Sequence, residues 1–217
     1  IVSSEFAAKI AESFDVEMIN VLTGFKFIAE QIKHFEATAE HTFMFGFEES
    51  YGYLVRSFVR DKDAIQALVM LAEVAAYYKK QGKNLYDGLQ ELFEKYGYFA
   101  EKTISLTFDG IQGAKQIQDL MSKFRTSAPT DFAGYKVEVM EDFASSQKHL
   151  ADGTITTMSL PKSNVLKYYL ADGTWIAVRP SGTEPKIKFY IGTVATSDEQ
   201  ATEKCHAFEA AIQAFIK

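Results

Sequence analysis

The stretch Arg179-Pro180-Ser181-Gly182-Thr183-Glu184-Pro185-Lys186-Ile187-Lys188 gathers the groups that bind an anion. Arg179 offers a planar fork of N–H donors that matches a phosphate. Ser181 and Thr183 add hydroxyls, Gly182 lets the backbone come close to a ligand, and the prolines stiffen the bend. Lys188 can bring a second positive charge from the strand that follows, and successive backbone N–H groups in such a bend can form an anion nest. A surface loop made of turn-forming residues is the competing reading, and spacing alone leaves both open.

A second constellation is Phe45-Gly46-Phe47-Glu48-Glu49-Ser50-Tyr51-Gly52-Tyr53. Carboxylates accept hydrogen bonds from vicinal sugar hydroxyls, and aromatic rings can frame a sugar. An acidic surface turn is the bland alternative. A glycosidase-like acid/base pair is the sharp one, weakened because adjacent residues point apart. The third is Gly24-Phe25-Lys26, a glycine at a helix N-terminus with a lysine beside it, where backbone N–H groups favour anions. His34, His41, His149 and His206 are scattered, with no pair at metal-ligand spacing.

These groups need elements to hold them. Apolar spacing predicts helices over 5–14 and 25–35, with Ser3 and Ser4 as N-cap candidates, and strands over 16–22 and 42–47. That β-α-β-α-β order predicts an α/β domain of parallel type, with its ligand loops at the carboxyl ends of the strands. Helices follow over 61–80 and 84–96. The second half changes character: strands over 102–108, 136–141, 164–170, 174–179 and 186–193, with helices over 110–124 and 198–216. Hairpin signals between these strands predict an α+β domain with a mainly antiparallel sheet. The boundary is expected near Tyr98, giving domains 1–98 and 99–217. Leu-Ala-Asp-Gly-Thr occurs at 150–154 and again at 170–174, which reads as recurring turn chemistry.

Composition bounds the function. The chain has 217 residues, 47% hydrophobic and 24% charged, enough to bury a core. A net charge of −6 disfavours a generic nucleic-acid or anionic-membrane binder, yet allows a small phosphate site. The longest apolar stretch, 64–78, is broken by Gln66 and Glu73 and is too short and polar to span a bilayer. With a single cysteine, Cys205, no internal disulfide forms, and a reducing, cytoplasmic setting is expected. The opening Ile1-Val2-Ser3-Ser4 reads as the end of a strand, so a larger machine is expected of which this is a part.

TGFKFI at 23–28, FGFEESYGYL at 45–54 and RPSGTEPKIKFY at 179–190, in that order, resemble the α-D-phosphohexomutase superfamily, and more closely its phosphoglucomutase branch. The resemblance covers the whole chain but only the third and fourth of that family's four domains. It implies reversible phosphoryl transfer between O1 and O6 of glucose through a phosphoserine and glucose 1,6-bisphosphate. It further implies Mg2+ held in the second domain and a serine in the first; neither loop is found in this sequence. By the resemblance, Glu48 and Ser50 bind sugar hydroxyls. Arg179, Ser181, Gly182 and Thr183 grip the phosphate that is not reacting, and Lys188 matches a further basic position. Gly24 and Lys26 match the third domain's loop. Many family members carry Gly where Phe47 stands and Gly-His where Tyr51-Gly52 stands. The Glu-Glu-Ser-Tyr-Gly form is nearer glucose-selecting members. Phosphomannomutase, phosphopentomutase and a non-catalytic phosphosugar-binding module remain the alternatives. The expected partners are a sugar phosphate and the family's first two domains, and the chain alone is expected to lack turnover.

Overall fold

The computed structural model describes residues 1–108, 110, 112–182 and 184–217, and the chain divides into two units, Ile1–Tyr96 and Gly97–Lys217. The first unit runs α1 (Glu5–Glu12), α2 (Phe25–Thr38), β1 (Gly46–Glu48), β2 (Gly52–Leu54), α3 (Ala64–Lys80) and α4 (Leu85–Tyr96). Its helices start where side chains can satisfy free N–H groups. The Ser4 hydroxyl accepts from Phe6 N–H at 3.1 Å, and Asp63 Oδ1 accepts from Ile65 and Gln66 N–H at 2.9 and 3.1 Å. Those bonds, led by the Gln66 N–H, hold the Asp63 carboxyl below its ordinary range. α1 packs on α4 through stacked Phe6 and Phe93 rings, 4.9 Å apart.

The sequence expectation of strands over 16–22 and 42–47 needs correction. Of the second stretch only Gly46 and Phe47 are in a strand, β1, which pairs antiparallel with β2, Phe47 opposite Tyr53. Among the described residues no parallel ladder forms. The reason is that a strand is a property of two neighbours about 4.8 Å apart. Here residues 1–3, 16–23 and 41–49 line a shared cavity of about 1010 Å³ and are joined by isolated contacts, the Ile1 ammonium donating to Val21 O at 2.9 Å and the Ser3 hydroxyl to Glu49 Oε2 at 3.4 Å, in place of a ladder. α3 is also unusual. Ile65, Leu68, Val69, Leu71 and Tyr77 are exposed, and none of its residues is buried.

The second unit runs β3 (Tyr98–Thr107), α5 (Gly113–Thr126), β4 (Asp131–Phe132), β5 (Tyr135–Asp142), β6 (Gln147–Leu150), β7 (Ile155–Thr157), β8 (Leu166–Leu170), β9 (Trp175–Pro180), β10 (Lys186–Ala195) and α6 (Asp198–Ile216). The sheet is antiparallel in the order β3-β10-β9-β8-β5-β6-β7, with β4 paired to β5. Ile176 and Val178 of β9 and Ile187, Phe189 and Ile191 of β10 face the core with α5 and α6. At its centre the Tyr168 O–H donates to the Phe124 carbonyl at 2.7 Å, and burial pushes the phenol above its ordinary pKa.

The repeated pentapeptide folds the same way twice. Leu150 N–H donates to Thr154 O at 2.9 Å, Gly153 N–H to Leu150 O at 3.0 Å, and Thr154 N–H to Asp152 Oδ1 at 2.8 Å. Leu170, Gly173, Thr174 and Asp172 repeat those bonds at 2.9, 3.0 and 3.1 Å. Gly153 and Gly173 take φ of 89° and 83°, the left-handed values this turn needs. One copy joins β6 to β7 and the other β8 to β9. Among the described residues no helix is long and apolar enough to cross a membrane.

Two outcomes follow from this packing. A Cβ on Gly192 would lie 2.2 Å from the indole Nε1 of Trp175, which stands opposite it across the ladder. Gly192→Ala should therefore lower stability by about 1–3 kcal/mol in urea unfolding. Cys205 is 3% exposed and burial raises its thiol pKa, against an opposing contact from the Thr193 hydroxyl. Less thiolate forms at a given pH. A disulfide-exchange reagent at pH 8 should leave the folded chain unmodified and titrate one thiol after urea is added.

Candidate functional site

β1 and β2 form a hairpin of three residues a side, closed by Glu49-Ser50-Tyr51. Alternation on β1 sends Glu48 inward, 9% exposed, while Glu49 stays exposed and receives the Ser3 hydroxyl at 3.4 Å. The two carboxylates therefore do not form an acid/base pair. Glu48 Oε1 accepts from Gly24 N–H at 2.9 Å, and Oε2 accepts from the Lys62 ammonium at 3.0 Å. Gly24 caps α2 with φ of 124°, so its N–H can turn toward the hairpin and the helix N-terminus can meet a carboxylate. Ser50 is exposed, and its hydroxyl has no partner among the described residues. Lys26 is not drawn into this cluster. Its ammonium lies 4.7 Å from the centre of the Phe27 ring, and among the described residues no hydrogen bond or ion pair joins it to the hairpin.

Two groups here escape a reading of the sequence. Lys62 sits in Asp61-Lys62-Asp63, which looks like a solvated charge run ahead of a helix; its pairing with Glu48 is long-range and leaves no local signal. The Thr23 hydroxyl oxygen is buried and has no hydrogen-bond partner among the described residues. An unmade bond of this kind costs about 1–3 kcal/mol, so it marks a place where a donor or acceptor is wanted.

The second cluster belongs to the other unit. Arg179 on β9 stands directly opposite Lys188 on β10. Val178 and Phe189 point into the core, so alternation sends Arg179 and Lys188 together to the opposite face. Both are half-buried, and among the described residues neither side chain has an ion-pair or hydrogen-bond partner. The bend between the strands is pinned. Ser181 N–H donates to Lys186 O at 2.8 Å, Glu184 N–H donates to Ser181 Oγ at 3.3 Å, and Lys186 Nζ pairs with Glu184 Oε1 at 3.0 Å. Phe108 N–H ties Pro185 O to the end of β3 at 2.9 Å. Gly182 is exposed, and a Cβ there would meet no atom within 4 Å. Thr183 lies outside the described residues. Among the described residues no three His, Cys, Asp or Glu side chains gather where they could hold a metal ion.

Residues 1–96 match the family model for phosphoglucomutase/phosphomannomutase, alpha/beta/alpha domain III, and residues 135–211 match that for the phosphoglucomutase/phosphomannomutase C-terminal domain. A phosphoglucomutase of Staphylococcus epidermidis is 45% identical over 192 residues, covering 88% of this chain and 35% of its own. One from Staphylococcus aureus is 40% identical over 208 residues, covering 95% of this chain and 37% of its own. The chain thus spans little more than a third of these relatives. Among solved structures, the open form of the Paramecium exocytosis-sensitive phosphoprotein pp63/parafusin, a phosphoglucomutase, shares the fold. Its TM-score is 0.64 at 18% identity, over 98% of this chain and 35% of that one. With both units matched in order, the chain belongs to the phosphoglucomutase/phosphomannomutase family and carries that family's domain III and C-terminal domain.

Proposed function

We propose that this chain supplies the sugar-reading and phosphate-gripping parts of a phosphoglucomutase. That enzyme interconverts glucose 1-phosphate and glucose 6-phosphate through a phosphoserine and glucose 1,6-bisphosphate. The observation that carries this reading is the Arg179–Lys188 pair: two cations side by side, with no carboxylate on either among the described residues. Like charges directly opposite on a sheet repel, so a dianionic ligand between them relieves a repulsion as well as making bonds. Gly182 adds support. Among the described residues nothing stands within 4 Å of a Cβ placed there, and that bareness leaves room for a ligand to approach the backbone.

Each residue then has a part. Arg179 and Lys188 hold the phosphate that is not reacting, Ser181 and Gly182 lie in the bend beside them, and Thr183 is a further ligand by the family resemblance. Glu48 accepts from sugar hydroxyls, and Ser50 offers its free hydroxyl beside it. Phosphoryl transfer is mostly positioning and charge stabilisation, so binding energy at the distal phosphate and the ring orients the reacting end. The serine, and the Mg2+ that neutralises charge on the transferring group, belong to parts of the enzyme outside this chain. The chain alone binds but does not turn over.

Calorimetric titration tests this. The chain should bind glucose 6-phosphate and glucose 1-phosphate more tightly than glucose. Arg179→Ala should lose about tenfold or more in affinity, since one charge-assisted hydrogen bond contributes about 1.5–3 kcal/mol. The exposed Lys115→Ala should bind as the unaltered chain does. Equal affinity of Arg179→Ala and the unaltered chain would overturn the phosphate assignment, and a preference for mannose 6-phosphate would overturn the glucose one.

A thermal melt gives an independent reading. In phosphate-free buffer of low ionic strength, Lys188→Met should melt no lower than the unaltered chain, because a repulsion goes while the apolar stem stays. Inorganic phosphate should raise the melting temperature of the unaltered chain and fail to raise that of Lys188→Met. A Lys188→Met chain that melts lower without phosphate and gains as much from it would show that the pair is not an anion site.

A further inference from the structure

Glu48 carries the sugar reading, yet β1 is three residues long and offers little to fix a flexible carboxylate. Its two oxygens are held from outside the strand, by Gly24 N–H and by Lys62. Lys62 comes from beyond the hairpin, just ahead of the Asp63 that caps α3. Its stem runs across the hairpin over Gly52. A Cβ at 52 would lie 2.0 Å from Lys62 Cδ, 2.6 Å from Cγ and 3.2 Å from Cε. The ammonium lies 5.3 Å from the centre of the Phe25 ring, at the first residue of α2, and 3.8 Å from Asp61 Oδ1.

Gly52 is informative for a second reason. The left-handed residue of this turn is Tyr51, at φ of 61°, whereas Gly52 takes no positive φ. Backbone conformation therefore does not call for glycine at 52; the passage of Lys62 does. The Lys62 side chain is 44% exposed and that of Glu48 10%, so water screens the cation far more than its partner. A half-exposed pair of this kind adds little to stability. What it supplies is direction: one oxygen on Gly24 and the other on Lys62 fix the carboxylate plane, and with it the lone pairs left for a ligand.

We propose that Lys62 is a positioning residue of the sugar-reading site, which orients the Glu48 carboxylate, and that Gly52 lacks a side chain so that Lys62 can reach it. Its functional consequence rests on the reading of Glu48 as the sugar ligand; the orientation itself does not. Pre-setting the carboxylate removes rotamer freedom that ligand binding would otherwise have to remove.

Nitrogen–proton correlation spectra of the chain test the orientation through the Gly24 amide, with Glu48→Ala as the reference for a lost bond. In Lys62→Met the Gly24 amide proton should move upfield toward the Glu48→Ala position, and in Lys62→Arg it should stay near its original place. Glucose 6-phosphate affinity should fall about threefold or more in Lys62→Met and recover in Lys62→Arg, while inorganic phosphate binds all variants alike. An unmoved Gly24 amide in Lys62→Met overturns the positioning, whatever the ligand does. A moved amide with unaltered glucose 6-phosphate affinity in both Lys62→Met and Glu48→Ala leaves the positioning standing and sinks the sugar reading. The same spectra test Gly52. A methyl at 52 should push the Lys62 stem aside, so Gly52→Ala should move the Gly24 amide proton as Lys62→Met does and add no further shift alongside Lys62→Met. An unmoved Gly24 amide in Gly52→Ala would overturn the role given to Gly52.

Discussion

Arg179 and Lys188 are held opposite one another on adjacent strands, and among the described residues nothing acidic touches either. Left to themselves the two side chains would separate; the sheet keeps their backbones in register. That register is set from the other face. Ile176, Val178, Ile187 and Phe189 are fully buried, and a slip of one residue would exchange them for the two cations. Desolvating both charges is so unfavourable that the hydrophobic pattern of β9 and β10 decides where the two cations stand. The core under α5 and α6 thus does more than stabilise the unit: it fixes which side chains stand together on the opposite face.

The first unit solves its positioning problem by other means. Its main buried cluster is small, built on Phe25, Ile32 and Leu54, against the extended cluster under the antiparallel sheet. α3 is mostly apolar, and none of its residues is buried. A short hairpin on such a base cannot orient a carboxylate by packing alone. Directed polar contacts take over, with Gly24 N–H and Lys62 on Glu48 and the bare Gly52 beneath the lysine stem. The same end, a fixed functional side chain, is reached through bulk packing in one unit and through a few polar bonds in the other.

This difference explains what could be read in the sequence. The Arg179 bend, the return of Lys188 and the hairpin turn at Asp172-Gly173 all follow from local rules: alternation along a strand and a left-handed glycine after an aspartate. The repeated pentapeptide makes the point directly, since the same five residues close two different hairpins with matching bonds. Short strands were harder to see. β6 and β7 carry mixed polar sequences without an apolar period, so nothing marked them. The opposite holds over 16–22, where Val16, Met18 and Asn20 alternating with Glu17, Ile19 and Val21 suggest a strand; among the described residues it forms no ladder, and its Val21 carbonyl meets only the Ile1 ammonium. Lys62 lay beyond reach because a pair across 14 residues of turn and loop is a tertiary fact.

On the reading proposed above, the two ways of building suit two tasks. A phosphate is compact, carries the same charge whichever end of the sugar bears it, and is met well by rigidly spaced cations. Sugar hydroxyls differ by direction rather than charge, and telling them apart requires a carboxylate whose orientation is set before the ligand arrives. Lys62 supplies that orientation with a charge that remains half in water. It can therefore yield by a small movement when hydroxyls compete for the carboxylate, which a cation locked in a core could not do. Rigid spacing for the anion and an adjustable, charge-set direction for the hydroxyls are what a ligand presented in two orientations demands of its two grips.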